Sequence, residues 1–297
     1  MAKYNNGSSK KYVKSQFILS ILLLLLLVLF VFIYFFIDSK LSEPETVQTT
    51  EIVSSEQPSE DINEAEVESF NSDEIQALVD EWVISDGGES SVYITDIDGN
   101  VLASENPDQV FFAASLYKLF VAYAGYQQLD SGEVDGDEIY INGYTRQECL
   151  DLMIRDSDSP CAEKLWNELG KEELTEQLQT YGINNTSMTA ITTTAKDSSL
   201  ILARIVNGEG LSDESKEAYL DSMKEQDDLY RRGLPSGFDS LVVYNKVGWN
   251  ELVEWHDTAI IELPDGRQLI VSVLSENVGF SKISELGSSL ETYLQSL

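Results

Sequence analysis

Residues 111–125 read FFAASLYKLFVAYAG, a run that is apolar or aromatic apart from Ser115, Lys118 and Gly125. A helix that is hydrophobic on every side belongs at the centre of a core, where an unpaired ammonium is costly. Lys118 therefore needs a reason. Three readings are open: a second membrane span, a core helix whose lysine reaches the surface along its apolar stem, or a site whose chemistry needs an amine beside a hydroxyl. Ser115 and Lys118 are three residues apart, so on a helix they share a face, with the serine in the first turn where backbone N–H groups are unpaired. An amine so placed can take the hydroxyl proton. The pattern alone decides nothing, because Ser8 and Lys11 also match it.

The chain of 297 residues is 42% hydrophobic, enough for one large domain with appendages. Its formal charge of −33, from 19 basic and 52 acidic residues, argues against nucleic acid as a partner, because phosphate binding needs clustered Lys and Arg. One histidine cannot build a His-rich zinc site, so no metal and no cofactor is expected. Cys149 and Cys161 fit no metal-ligand spacing; two buried free thiols are the expectation, with a single disulfide left open.

Residues 17–37, FILSILLLLLLVLFVFIYFFI, carry no charge over 21 positions, the length that spans a hydrocarbon core of ~30 Å. Lys3, Lys10, Lys11 and Lys14 precede them with no acid, which predicts a cytoplasmic tail (1–16), a single transmembrane helix (17–37) and everything after it extracytoplasmic. A cleaved signal peptide fits less well, since its apolar region is only ~7–15 residues and a small-residue cleavage site should follow. Residues 38–70 hold ten acids and only Lys40 as a base, and read as a disordered acidic linker. The folded domain is then 71–297.

Within it, DEIQALVDEWV from Asp73 predicts a helix, and SVYITDIDGNVLAS predicts a hairpin about Asp98-Gly99-Asn100. Asp96, Asp98 and Asn100 are no calcium loop, because Val101 stands where that loop needs glycine. Helices are expected over 115–129, 146–155, 161–169, 171–181, 195–207 and 212–225. LVVYNKVG, HDTAIIEL and QLIVSVLS read as strands, with a turn at Pro264-Asp265-Gly266 and a last helix from about Lys282. That order implies an α/β fold in which an antiparallel sheet joins the first and last segments around an inserted all-helical region.

Two further motifs come after Ser115 and Lys118 in order. Asp156-Ser157-Asp158-Ser159-Pro160 comes after the helix-like TRQECLDLMIR, and Asn245-Lys246-Val247-Gly248-Trp249 lies on a predicted strand. Together they correspond to the SxxK, SDN and KTG set of β-lactamases and penicillin-binding proteins. Over its whole folded part, TTTAKD (192–197) and RRGLPSGF (231–238) included, the chain resembles the class A β-lactamase-like, penicillin-recognising serine hydrolases. The resemblance implies the β-lactamase/transpeptidase-like fold and an acyl-enzyme formed with β-lactams or peptidoglycan peptides. It implies Ser115 as nucleophile, Lys118 as its proton acceptor, Ser157 as proton shuttle and Lys246 as a positive wall for a substrate carboxylate. It implies further that Ser159, Val247, Gly248 and Trp249 line the substrate, with the N–H groups of Ser115 and Trp249 forming an oxyanion hole.

Four departures stand against that pattern. Ser159 replaces the Asn of SDN, and Val247 replaces the hydroxyl residue of KTG. No arginine occurs in Trp255-His256-Asp257, where the family often carries one for the substrate carboxylate. The loop 182–196, GINNTSMTAITTTAK, has no carboxylate to activate a deacylating water. Deacylation should then be slow, unless Asp197 or Glu251 supplies the base. His256 reads as structural, while Trp249 and Trp255 either line the cleft or pack beside it. The alternative from another class is a binding module of the same fold that recognises wall or protein ligands without turnover; the complete set Ser115, Lys118, Ser157 and Lys246 favours the enzyme.

Overall fold

The computed structural model describes residues 69–85, 87–250 and 252–297. The proposed tail, membrane helix and nearly all of the linker lie outside the described residues, as does Glu251. The chain divides into two units, 1–65 and 66–297, and every described residue belongs to the second. Among the described residues no helix is long and apolar enough to cross a membrane.

Helix α1 (Ser72–Ser85) leads into the hairpin β1 (Glu89–Asp96) and β2 (Val101–Glu105). At its tip Asp96 closes the turn, its Oδ1 accepting from the N–H groups of Asp98 and Asn100 at 3.0 and 2.9 Å. The chain then forms the helical region: α2 (Tyr117–Asp130), α3 (Arg146–Arg155), α4 (Ser159–Leu169), α5 (Lys171–Thr180), α6 (Ala195–Val206) and α7 (Asp213–Lys224). It returns as β7 (Val242–Trp249), β8 (Trp255–Glu262) and β9 (Gln268–Glu276), and ends in α8 (Phe280–Leu294). The short strands β3 (Phe111–Phe112) and β6 (Thr192–Thr193) pair within the helical region, as do β4 (Ile139–Ile141) and β5 (Tyr144–Thr145).

The main sheet has the order β2-β1-β9-β8-β7, antiparallel throughout, so strand β9 from the C-terminal segment lies against β1 from the N-terminal one. This is the expected architecture. The inner strands β8 and β9 are covered on both faces and buried along nearly their whole length; β9 is largely apolar, whereas β8 carries near its start the buried polar residues His256, Asp257 and Thr258. Alternation sends Ile260, Ile270 and Leu274 into the core beneath the helical region, and Ala259, Ile261, Val271 and Val273 into a second core under α1 and α8. Helix α2 runs through the first core, with every residue from Tyr117 to Tyr126 buried. Its hydrophobicity all round is thus that of a central core helix, not a membrane span. A Cβ on Gly125 would lie 2.6 Å from both Leu150 and Leu165, so glycine sets how closely α3 and α4 approach α2.

The cysteines depart from the expectation of free thiols: Cys149 of α3 and Cys161 of α4 form a disulfide, with Cα atoms 5.1 Å apart. The two helices meet at the 156–158 turn, and their buried faces bring both side chains to the same point, a tertiary arrangement that residue spacing does not reveal.

Candidate active site

The site is built where α2 begins. Ser115 lies in a single 3₁₀ turn, Ala114–Leu116, that precedes the helix. Ala114 has φ of 45°, the left-handed region, at a cost of about 1–2 kcal/mol for a residue with a side chain. Neighbouring hydrogen bonds hold it there: Ala113 N–H donates to the Ile191 carbonyl at 2.8 Å, and Leu116 N–H to the Ala113 carbonyl at 3.0 Å. Such strain, sustained by its surroundings, is common at functional turns.

Lys118 comes next, on the first turn of α2, and is 1% exposed. Its Nζ donates to the Ser157 carbonyl at 2.5 Å and to the hydroxyls of Ser157 and Ser159 at 3.2 Å each. These acceptors are presented by the turn between α3 and α4. Asp158 caps α4, its Oδ1 accepting from Cys161 N–H at 2.8 Å, and Ser157 takes a left-handed φ of 54°. From the sheet, Lys246 of β7, fully buried, donates from Nζ to the Ser157 hydroxyl at 3.0 Å. Two amines from opposite layers thus converge on one hydroxyl.

Burial sets the chemistry of both amines. It pushes Lys118 down to about 8, against the partly opposing pull of Asp158 and Glu163. Lys246 is held well below its ordinary value by burial and then by the charge of Lys118. In an acidic chain of −33 the site centre is cationic, and one of the two amines is readily neutral.

Gly248 joins sheet and helical region. A Cβ there would lie 2.4 Å from the Ala113 carbonyl oxygen and 3.0 Å from Leu116 N, so only glycine lets β7 lie against the serine turn. Strand β7 is the sheet's edge. The carbonyls of Val243 and Asn245 accept from Arg231 and Gln226, outside the sheet. On the other side of the alternation, Asn250 N–H bonds Glu254 across the β7–β8 hairpin. By the same alternation Val247 and Trp249 turn their backbone N–H groups to the free edge, on the side of the Ser115 turn. The side chain of Val247 does not join the site. It is fully buried in the apolar core under α1 and α8. Trp249 packs likewise, its ring stacked on Trp255 at 5.9 Å and edge-on to Phe280, with Arg232 above it at 5.2 Å. Both tryptophans pack beside the cleft.

The loop 182–196 reaches the site through its backbone, by the Ala113–Ile191 hydrogen bond and the pairing of β3 with β6. Its nearest carboxylate, Asp197, is 1% exposed and turned inward, accepting from Asn185 N–H at 2.7 Å and from the Thr186 hydroxyl at 2.8 Å. Asp197 closes the loop. His256 is buried and joins three strands: its Nε2–H donates to the Phe112 carbonyl at 2.9 Å, and its Nδ1 accepts from Ser275 N–H at 3.0 Å. Two polar groups behind the site escape the sequence reading. Asn245 and Asp257, both fully buried, are linked at 2.9 Å on the face of the sheet opposite the Lys246 side chain; an acid at the start of a strand that continues into Ala259-Ile260-Ile261 is the signal that marks them.

The family model described as the beta-lactamase enzyme family matches residues 72–290. The chain belongs to that family. Solved structures of the family's fold align over three quarters of this chain. A mutant of PBP-A, in an acyl-enzyme complex with penicillin G, aligns at 23% identity over 76% of this chain and 97% of its own, with a TM-score of 0.67. An ancestral class A beta-lactamase gives 20% identity, 74% and 99% coverage and a TM-score of 0.68. A beta lactamase from Xanthomonas campestris gives 19%, 74% and 97%, and 0.68. No curated protein matches the chain in sequence. At these identities the alignments establish the beta-lactamase/transpeptidase-like fold.

Proposed function

We propose that the protein is a membrane-anchored, extracytoplasmic serine hydrolase that forms an acyl-enzyme with β-lactams or cell-wall peptides and releases it slowly. The observation that carries this reading is the convergence of two buried lysines on the Ser157 hydroxyl, beside the strained turn that bears Ser115. Neutral Lys118 takes the Ser115 proton as Oγ bonds to the carbonyl carbon. The N–H groups of Ser115 and Trp249 receive the oxyanion. The C–N bond then breaks, and the leaving nitrogen takes a proton through Ser157, resupplied by the Lys118 ammonium. A bound substrate carboxylate favours the protonated form of Lys246, which then supplies the positive charge opposite it. The PBP-A relative in acyl-enzyme form with penicillin G supports the substrate class.

Slow release is supported by the loop 182–196, which has no carboxylate, and by Asp197, which is committed to the loop's own donors. The anchor rests on the uncharged run 17–37 and its four preceding lysines. The disulfide supports an oxidising compartment. Incubation with a penicillin and then intact-protein mass spectrometry should show one adduct in the parent and none in Ser115→Ala. An adduct in that variant would place the nucleophile elsewhere, and none in the parent would favour a ligand-binding module.

A further inference from the structure

Lys246 is fully buried, and its Nζ is engaged with the Ser157 hydroxyl at 3.0 Å. The next residue adds no donor, since Val247 turns its side chain into the apolar core under α1 and α8. A substrate carboxylate arriving here needs a donor that solvent reaches, close to this amine. Tyr230 has that position. It ends the short 3₁₀ turn Asp228–Tyr230, in the segment that runs along the free edge of β7. Its N–H donates to the Asp227 carbonyl at 2.8 Å, and its own carbonyl accepts from Asn245 Nδ2 at 3.0 Å. On either side of it, Gln226 donates to the Asn245 carbonyl and Arg231 to the Val243 carbonyl. The Tyr230 backbone is thereby tied to the strand that carries Lys246.

From that backbone the half-buried ring reaches the amine: the ring centroid lies 5.4 Å from Lys246 Nζ, inside the ~6 Å over which a cation and a ring face interact. The Tyr230 ring and the Ser157 hydroxyl thus flank one amine. The phenol hydroxyl makes no hydrogen bond among the described residues, yet solvent reaches it, unlike the unpartnered hydroxyl of Tyr126, which is sealed in the core. Burial, and then the charges of Asp156 and Asp227, raise the phenol above its ordinary value, so at neutral pH it is a donor and not a phenolate. Asp156 is itself paired with Arg155 at 3.4 Å, which weakens its repulsion of an incoming anion.

We propose that Tyr230 is a substrate-binding residue of this site: its hydroxyl donates to the substrate carboxylate beside Lys246, in place of the hydroxyl that Val247 cannot supply. The inference rests on the acylation chemistry proposed above, and adds that the acyl donors this site prefers carry a carboxylate. A hydrogen bond from O–H to a carboxylate is among the strong ones, and the ring held against Lys246 aims both donors at one anion.

The test compares acylation of the full-length protein by penicillin G and by its neutral methyl ester, followed by intact-protein mass spectrometry, in the parent and in Tyr230→Phe. That variant keeps the ring against Lys246 and removes only the hydroxyl. The ratio of the two rates, acid over ester, should fall by about 10–10²-fold, the range of a hydrogen bond to a charged group. A purely structural Tyr230 lowers both rates together and leaves the ratio as it was; that outcome overturns the proposal. The second measurement is binding without chemistry, in Ser115→Ala labelled with [ζ-¹³C]tyrosine, with Tyr230 assigned from its backbone resonances. The Tyr230 signal should shift with penicillin G and stay in place with the ester. No shift with penicillin G overturns the proposal, and this measurement decides if Tyr230→Phe does not fold. Penicillin G that shifts Tyr230 but leaves no adduct on the parent refutes the acylation reading alone.

Discussion

The turn at 157–159 and the loop at 182–196 both flank Ser115, and they treat it differently. The turn aims its polar groups at the reaction centre: a carbonyl and two hydroxyls converge on the Lys118 amine, and one hydroxyl also receives Lys246. The loop is hydrogen-bonded to the serine segment through its backbone, and its polar side chains bond elsewhere: Thr186 to Thr193 and Asp197, Asn185 and Lys196 to Asp108, and Thr189 to Glu172. Contact with a site is thus not participation in its chemistry. One side carries the amine and hydroxyls that the proposed acylation uses, and the other has no carboxylate in residues 182–196 for the proposed hydrolysis.

The contrast is broken most directly at its strongest point. Replacing Lys118 by Met keeps the apolar stem and removes the amine. Acylation by a reporter penicillin should then fall by about 10²–10⁴-fold, the contribution of a positioned base. Rapid-quench mass spectrometry measures it. An unchanged rate would mean that the turn holds Lys118 for packing only.

The second test addresses the loop. Without a positioned base for water, the acyl-enzyme should outlast that of a carboxylate-bearing relative by about 10²-fold, the lower end of that range, because Lys118 can partly substitute. Adduct decay after removal of free penicillin gives the lifetime. Clearance within milliseconds at pH 7 would show that a base outside residues 182–196 serves the water, with Asp197 and Glu251 the residues to replace.

Much of this contrast is legible in the sequence, because it depends on residue order. Strong periodicity marks the helices of the insert and the three C-terminal strands, and the empty stretch 182–196 needs no structure to notice. The 3₁₀ turn at Ala114–Leu116 is not legible as such, since nothing local announces the left-handed Ala114. Strands β3 to β6 are two or three residues long, too short for a period to show. The side chains of Val247 and Trp249 face the second core by strand alternation, since they lie one residue either side of Gly248, which packs on the serine turn. Their absence from the site is thus a consequence of the period of two, which the motif pattern alone does not express.

A third test uses His256, which fixes the chain leading into Ser115. Burial depresses it from 6.5 to about 4, so the folded state resists a proton that the unfolded chain accepts. Stability should rise with pH between about 4 and 6.5, by about 3 kcal/mol across the window. Urea titrations at several pH values read it, and His256→Gln should flatten this component of the slope. A slope equal in both proteins would remove His256 from the account.

The smallest expected effect sharpens the comparison from the side of the turn. The Cys149–Cys161 disulfide brackets residues 156–158, tying the end of α3 to the start of α4 across the segment that presents Ser157. The loop at 182–196 has no such bond and relies on hydrogen bonds to Asp197. With a sequence separation of 12, loop-closure entropy assigns the bridge about 2–3 kcal/mol. Replacing both cysteines by Ala should lower stability by that amount in urea. It should also slow acylation, because Ser157 and Ser159 sit in the turn that the bridge restrains, while leaving the acyl-enzyme lifetime unchanged, because the loop is untouched. A shortened lifetime would couple the two regions that the hydrogen-bond pattern keeps apart. Unchanged acylation would show that the capping bond from Cys161 N–H to Asp158 suffices to hold the turn.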